Sequence, residues 1–573
     1  MHIIDWVIVA LYMLLSLAIG LYFTRRASSS LSEFFLSGRN LPWWLAGTSM
    51  VATTFSSDTP LYVTGLVREH GIYENWQWWS FIFSGMLSVF FFARLWRRLG
   101  VLTDVELISL RYSGREASVL RGFKALYFSF IIHTIIKAQV ILAMAKIMDA
   151  ALGWGKWESI IISSAVTIAY SVFSGYWGVV TTDFFQFIIA MIGAVVLAAA
   201  AMGKAGGMAG IKAAVAPETL DFFPSPGEAA FMAFLGYIAL SWWSKYSSDG
   251  GGVIVQRMAS SKNEKESFAA TFYFNVANYA LRTWPWVIAA LASIALYPAL
   301  GPQNVGRPIL DHEAVYPRMM MDLLPTGLKG LMLASFFAAF MSTLSTYLNL
   351  SSAYFINDLY RPFIKKDAGE RHYIFVSRVM TLVLSAVTVY VTYNVTSIVG
   401  VFKFLIAFGS GTGLVYILRW FWWRINAWSE ISAMAASTGA SILAYTHPAF
   451  ADMPYYGKLA FIIGASTVVW VAVTFITKPV PMEKLKEFYR RTLPGGAGWA
   501  PVRKAFKGEE IDEPTNFSGA FFQWITSCVF LVSLTIGMGK LLLGFYLSGV
   551  IWTSVALFSG IRLWRWMSGK VLR

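Results

Sequence analysis

Cysteine is almost missing: Cys528 is the only one in 573 residues, which excludes a disulfide framework and any cysteine metal site. Charge is scarce as well, at 13% Asp, Glu, Lys and Arg, where a soluble domain carries about 25%. No G-x-x-x-x-G-K-[ST] run occurs, which argues against an ATP-driven pump. No polar segment is long enough for an ordinary independent domain, so a soluble kinase, ATPase or receptor module has no room. What remains is apolar: 57% hydrophobic residues, with 24 Trp, 26 Tyr and 44 Phe. These proportions describe an all-α, polytopic membrane protein.

About fifteen stretches have the length and hydropathy of spanning helices. A leader at 4–24 is followed by stretches from 43–67 to 547–567, among them 157–176, 180–202, 228–252, 267–299, 327–357 and 398–424. The leader ends in Thr24-Arg25-Arg26, a stop-transfer flank, and no cleavable signal peptide is expected. The net charge of +15 would suggest nucleic acid in a soluble chain. Here the cations crowd short loops, such as Arg94/Arg97/Arg98, Arg111 to Lys124, Arg257 to Lys265, Arg361 to Arg371, Lys478 to Lys507 and Arg562 to Arg573. The alternate loops hold only scattered ones such as Arg68, Lys156, Arg307 and Lys458. The bias places the N-terminus outside and the C-terminus in the cytoplasm, with contact to anionic lipid and none to nucleic acid.

Two spans carry breakers. The stretch at 43–67 holds Thr53-Thr54-Phe55-Ser56-Ser57-Asp58-Thr59-Pro60 in mid-membrane. Pro60 removes a helical hydrogen bond, and the hydroxyls compete for the backbone. The stretch at 228–252 ends Ser241-Trp242-Trp243-Ser244-Lys245-Tyr246-Ser247-Ser248-Asp249-Gly250-Gly251-Gly252, and glycine holds a helix poorly. Interrupted helices at corresponding places of two halves point to a transporter's binding site. The span at 327–357 adds a knot of hydroxyls, Ser342, Thr343, Ser345 and Thr346. Ala339, Ser342, Thr343 and Thr346 share one helical stripe. Na⁺, with its appetite for hard oxygen ligands, is one partner for them; packing against a neighbour is the other. Asp183, among Thr181, Thr182 and Gln186, is a usable cation ligand; a gate or an ion pair with a lysine is the competing reading.

The run Ser32-Glu33-Phe34-Phe35-Leu36-Ser37-Gly38-Arg39-Asn40-Leu41-Pro42-Trp43-Trp44 resembles the approach to the first core helix in the sodium:solute symporter family. That family includes the sodium/proline, sodium/sialic acid and sodium/galactose symporters. The resemblance runs from the leader to the span at 398–424. It implies the leucine-transporter fold, a 5+5 inverted repeat with one leader helix and about four C-terminal helices. The expected division is 1–40 for the leader and its link, 41–252 for the first repeat with broken helix 6, 253–426 for the rest of the second repeat, and 427–573 for the C-terminal helices with the cytoplasmic loop 478–519.

The resemblance also implies sites. The family's common sodium site falls on carbonyls of Ser56 and Thr59, the Ala339 carbonyl and the hydroxyls of Ser342 and Thr343. A second sodium, held by some members, falls on Asp183, Ser342, Ser345 and Thr346, which suggests two Na⁺ per cycle. Solute contacts fall on Gln77, Ser80, Ser244, Ser247, Ser248, Arg282 and Phe402, beside Lys403. The sugar pattern is broken at the serines and at Phe402. Asp58 matches an aspartate of the proline symporters, with different neighbours.

The expectation is therefore a non-enzymatic, Na⁺-coupled symporter of a bacterial-type plasma membrane, importing a small polar solute by alternating access. It needs no cofactor beyond Na⁺ as coupling ion. Arg282, Lys403 and Lys137 favour a solute bearing a carboxylate, with Arg282 foremost because guanidinium grips carboxylate bidentately. A neutral sugar or polyol, proton coupling through Asp58 or Asp183, and a transport-derived sensor are the alternatives. Ser335, Ala339, Ser342, Thr346, Asn349 and Ser352 lie on one face, the expected route for Na⁺ release.

Overall fold

Apolar runs broken by few charges fold as the sequence pattern requires, into helices. The computed structural model describes residues 1–27, 29–298, 311–506 and 508–570; Arg307, position 299 of one expected span and the terminal 571–573 lie outside the described residues. In chain order the helices that matter here are α1 (Ile3–Ala27), α2 (Trp43–Thr54) and α3 (Asp58–His70). Next come α4 (Ile72–Leu99), α5 (Gly114–Leu152), α6 (Lys156–Lys204), α7 (Ala229–Gly236) and α8 (Gly252–Ser260). They are followed by α9 (Glu264–Leu296), α10 (Leu328–Ala353), α11 (Glu370–Tyr393), α12 (Ile398–Gly409) and α13 (Gly413–Phe421). Four more complete the chain: α14 (Ala427–Thr446), α15 (Tyr455–Ile476), α16 (Phe517–Leu542) and α17 (Tyr546–Lys570).

Among the described residues 10 helices are long and apolar enough to cross a membrane, or 11 if α12 and α13, bent by 46° at their junction, form one span. The expected count of about fifteen is not reached by this measure. One reason is that broken spans leave halves too short to count alone. Another is that the expected spans at 157–176 and 180–202 run together as the single helical stretch α6. No proline separates them, and glycine is tolerated inside a helix.

Both expected breaks are present, each with a local cause. The first span stops at Thr54, Phe55 turns extended (φ −107°, ψ 104°), and the helix resumes at Asp58. Pro60 then sits in the first turn of α3, where a missing N–H costs nothing. The second break runs from Lys245, which is extended (φ −74°, ψ 157°), to Gly250 and Gly251, whose φ of 113° and 61° favour glycine. The span expected to end at 252 resumes as α8, so Arg257 lies inside the protein and not in a cytoplasmic loop. A nine-residue half-helix carrying Gln256 and Arg257 reads as loop because it is too short and too polar to pass for a span.

The hydroxyl-bearing helix forms the axis. In the span Leu328–Ile364, 89% of the apolar window is buried inside the protein, against 28% for the leader and 22% for the last span. α6, α1 and α11 pack around α10, while α2 and α8 press on its hydroxyl face. The C-terminal helices pair as α14 with α15 and α16 with α17, outside this core.

Candidate functional site

The two breaks face one cavity of about 340 Å³, at the lower end for small-molecule pockets. Ser56, Asp58 and Thr59 reach it from the first break, Lys245, Ser247 and Gly250–Gly252 from the second, and Thr343 and Tyr347 from α10. Its walls are otherwise aromatic and amide: Phe402 packs on Tyr62 with ring centroids 4.8 Å apart, and Gln139, Asn275 and Asn278 present amides.

The first sodium set is partly assembled. Ser56, Thr59 and Thr343 line the same cavity. The Thr343 hydroxyl donates to the Thr53 carbonyl at 2.9 Å, tying α10 to the last turn of α2. The Ser56 hydroxyl is buried with no partner among the described residues, a state that costs free energy unless something coordinates it. Ala339 and Ser342 lie buried on α10 behind this wall, and the Ser342 hydroxyl donates to Asp183 Oδ1 at 2.6 Å.

At the second set the structure differs from expectation. Asp183 does accept hydroxyls, from Ser342 and from Ser49 at 2.5 Å. The cation beside it is Arg257, whose Nη2 lies 3.5 Å from Asp183 Oδ2. The same guanidinium donates to Thr53 Oγ1 at 2.7 Å, to Thr346 Oγ1 at 2.8 Å and to Ser49 Oγ at 3.1 Å. Ser345 turns away, donating to the Ser342 carbonyl of its own helix at 3.2 Å. The expected release route along α10 is capped by the same pair of residues: Thr346 is held by Arg257, and Asn349 accepts from Gln256 at 3.0 Å. Sequence reading missed Arg257 because it stood among loop cations; the Gln256-Arg257 pair after a glycine break was the available signal.

The solute residues scatter. Asp58, Ser247, Arg282 and Phe402 line the cavity; Gln77, Ser80, Ser244, Ser248 and Lys403 do not. Gln77 is bonded to Tyr62 at 3.0 Å and to Glu74. The Ser80 hydroxyl donates to the Gln77 carbonyl at 3.5 Å. Ser248 donates to the Gly413 carbonyl at 2.8 Å, and the Ser244 hydroxyl is buried without a partner among the described residues. Arg282 lines the cavity but spends its nitrogens on backbone: Nη1 on the Val51 carbonyl and Nη2 on the Thr54 carbonyl, both at 3.0 Å, and Nε on the Asn278 carbonyl at 3.2 Å. It therefore caps the C-terminus of α2, where orphan carbonyls and the helix dipole attract a cation. Lys137 also lies outside the cavity lining.

The lysine that does reach the cavity is Lys245, at the second break, with its Nζ 3.6 Å from the centre of the Phe81 ring. Asp58, which lines the same cavity, accepts at Oδ2 from Gln139 at 2.7 Å. Asp104, on the loop between α4 and α5, lines the cavity and accepts from Tyr354; burial holds its carboxyl above the ordinary carboxylate range.

Two interrupted helices whose broken ends meet over a buried, hydroxyl-lined cavity define a secondary transporter of the broken-helix kind. The family model for the sodium:solute symporter family matches residues 34–437, and the chain belongs to that family. It is 27% identical over 536 residues to sodium/glucose cotransporter 4 of Danio rerio, covering 84% of this chain and 80% of that protein. It is 26% identical over 486 residues to the sodium/mannose cotransporter SLC5A10 of Bos taurus, covering 78% of this chain and 80% of the relative. The fold is similar to a substrate-bound, outward-open Na⁺-coupled sialic acid symporter, with a TM-score of 0.69 at 20% identity, over 83% of this chain and 99% of that one. These relatives are transporters and not enzymes.

Proposed function

We propose that this chain is a Na⁺:solute symporter that imports a small polar organic solute by alternating access. The N-terminus lies outside, and Na⁺ binds between the first break and α10. The observation that carries the reading is the tie from Thr343 to the Thr53 carbonyl at the cavity that Ser56 also lines, its hydroxyl unpartnered among the described residues. A Na⁺ seated among Ser56, Thr59, Ala339, Ser342 and Thr343 bridges the broken helix to the axis and orders Asp58 and Thr59 for solute. Ion and solute affinities are then coupled reciprocally. Each Na⁺ moving down 100 mV supplies about 2.3 kcal/mol before any concentration term.

The solute class follows from the charges that face the cavity. Lys245, on an aromatic wall, has no hydrogen-bonded carboxylate beside it among the described residues, and favours a carboxylate-bearing solute: an amino acid, an organic acid or an acidic sugar. It takes the role the sequence suggested for Arg282. A thermal-shift screen of carboxylate and neutral solutes, each in Na⁺ and in choline, tests this. Stabilisation by a carboxylate solute that requires Na⁺ supports it. A neutral sugar is the second reading, favoured by the amides of Gln139, Asn275 and Asn278 and by the sugar cotransporters among the relatives.

A further inference from the structure

Four groups were expected to hold a second Na⁺: Asp183, Ser342, Ser345 and Thr346. Asp183, Ser345 and Thr346 are already committed, and the Ser342 hydroxyl gives its proton to Asp183 while its lone pairs remain for the first site. Asp183 and Arg257 are both fully buried, at 0% exposure. A buried carboxylate needs a cationic or hydrogen-bonding partner. Here it has the guanidinium of Arg257 together with two hydroxyl donors, Ser49 and Ser342. Thr346 accepts from Arg257, so a lone pair that a metal ion would use is occupied. The Ser345 hydroxyl faces its own helix. The ring of Tyr176 closes over the guanidinium, with Cζ 5.2 Å from its centre. A Na⁺ added among these groups would leave a net positive charge in a region shut off from water, which is costly.

We propose that Arg257 is the resident cation of this second position, so that the chain couples to one Na⁺ and not two. A guanidinium supplies in fixed form what the ion would supply reversibly: one positive charge and several directional contacts to Asp183, Ser49, Thr53 and Thr346. Because it is tethered to α8, it cannot be released to the cytoplasm and contributes nothing to the driving force. The proposal rests on the Na⁺-symport reading above and narrows it to a stoichiometry.

Equilibrium binding of radiolabelled Na⁺ to the purified full chain, with choline as the replacing cation, counts sites without knowledge of the solute. The wild type is expected to bind about one Na⁺ per chain with a hyperbolic isotherm, and Arg257→Gln to bind about two. The double variant Asp183→Asn/Arg257→Gln, which removes both charges together and avoids an unpaired one, is expected to keep a single site, because an amide oxygen still accepts from Ser342. Two sites in the wild type, one of them lost in the double variant, would overturn the proposal, as would a single site that the double variant abolishes. Arg257→Gln remaining at one site overturns it too. If Arg257→Gln does not fold, the wild type and the double variant still decide. Absence of any Na⁺ binding in the wild type overturns the symport reading along with this one, which separates the two failures.

Discussion

Arg282 Nη2 donates to the carbonyl of Thr54 at 3.0 Å, across 228 residues of sequence. The contact sits where α2 stops and its last carbonyls lose their helical partners. A cation there satisfies the backbone and opposes the negative end of the helix dipole. The broken helix is thus held open by a side chain from α9, before any ion or solute arrives.

Replacing Arg282 with Met should therefore act on stability before selectivity. Hydrogen bonds from a charged donor contribute about 1.5–3 kcal/mol each, and several are lost at once. The expected outcome is a marked fall in thermal stability with carboxylate and neutral solutes affected alike. Competition uptake with both solute types in the folded fraction checks it; a loss confined to carboxylates would return Arg282 to the solute.

Lys245 is where selectivity should reside. Lys245→Gln is expected to weaken carboxylate solutes about tenfold or more, the scale of one charge-assisted contact, while leaving Na⁺ binding in place. Lys245→Arg should retain part of the affinity. Isothermal titration of carboxylate and neutral solutes in Na⁺ buffer reads both effects.

Thr343 is expected to set Na⁺ affinity through its hydroxyl. Thr343→Ala removes the ligand and its bond to the Thr53 carbonyl, and should raise the Na⁺ concentration for half-maximal binding about tenfold. Thr343→Ser keeps the hydroxyl and should stay within about threefold of wild type. Na⁺ titration of intrinsic tryptophan fluorescence, against choline, compares the pair.

Glu430 of α14 anchors the second break through Arg419. It accepts from Lys124, from Arg419 at 3.2 Å and from Tyr112 at 2.6 Å. Arg419 in turn reaches Asp249, inside the break, at 2.6 Å. Glu430→Gln leaves two buried cations underpaired and should cost about 3–5 kcal/mol of stability, seen as a lower melting temperature. Lys124→Met in the same background should recover part of it.

The fold was legible where the sequence breaks its own rules. Pro60 among hydroxyls and three glycines after Asp249 announced both interruptions, because a proline does not continue a helix from the preceding turn and a glycine run holds one poorly. That Ser342 and Asp183 lie together was legible only through the family resemblance, which set both around a second Na⁺; the direct hydrogen bond between them was not expected. The roles of the arginines were not legible. Arg257 stands in a short polar stretch that reads as a loop cation, and only the resumption of the helix after Gly251 carries it inward. Arg282 read as a carboxylate grip because nothing in the sequence shows which carbonyls a break will leave unpaired. Lys245 was hidden in a polar cluster, and only the extended backbone at that residue turns it to the cavity.

The most direct test of the account is solute-stimulated uptake of radiolabelled Na⁺ by proteoliposomes containing the full chain, screened over carboxylate and neutral solutes, with an inside-negative potential imposed or collapsed. The account expects Na⁺ entry that requires a solute, solute entry that requires Na⁺, and acceleration of both by the potential. Solute accumulation that proceeds equally in choline would contradict it.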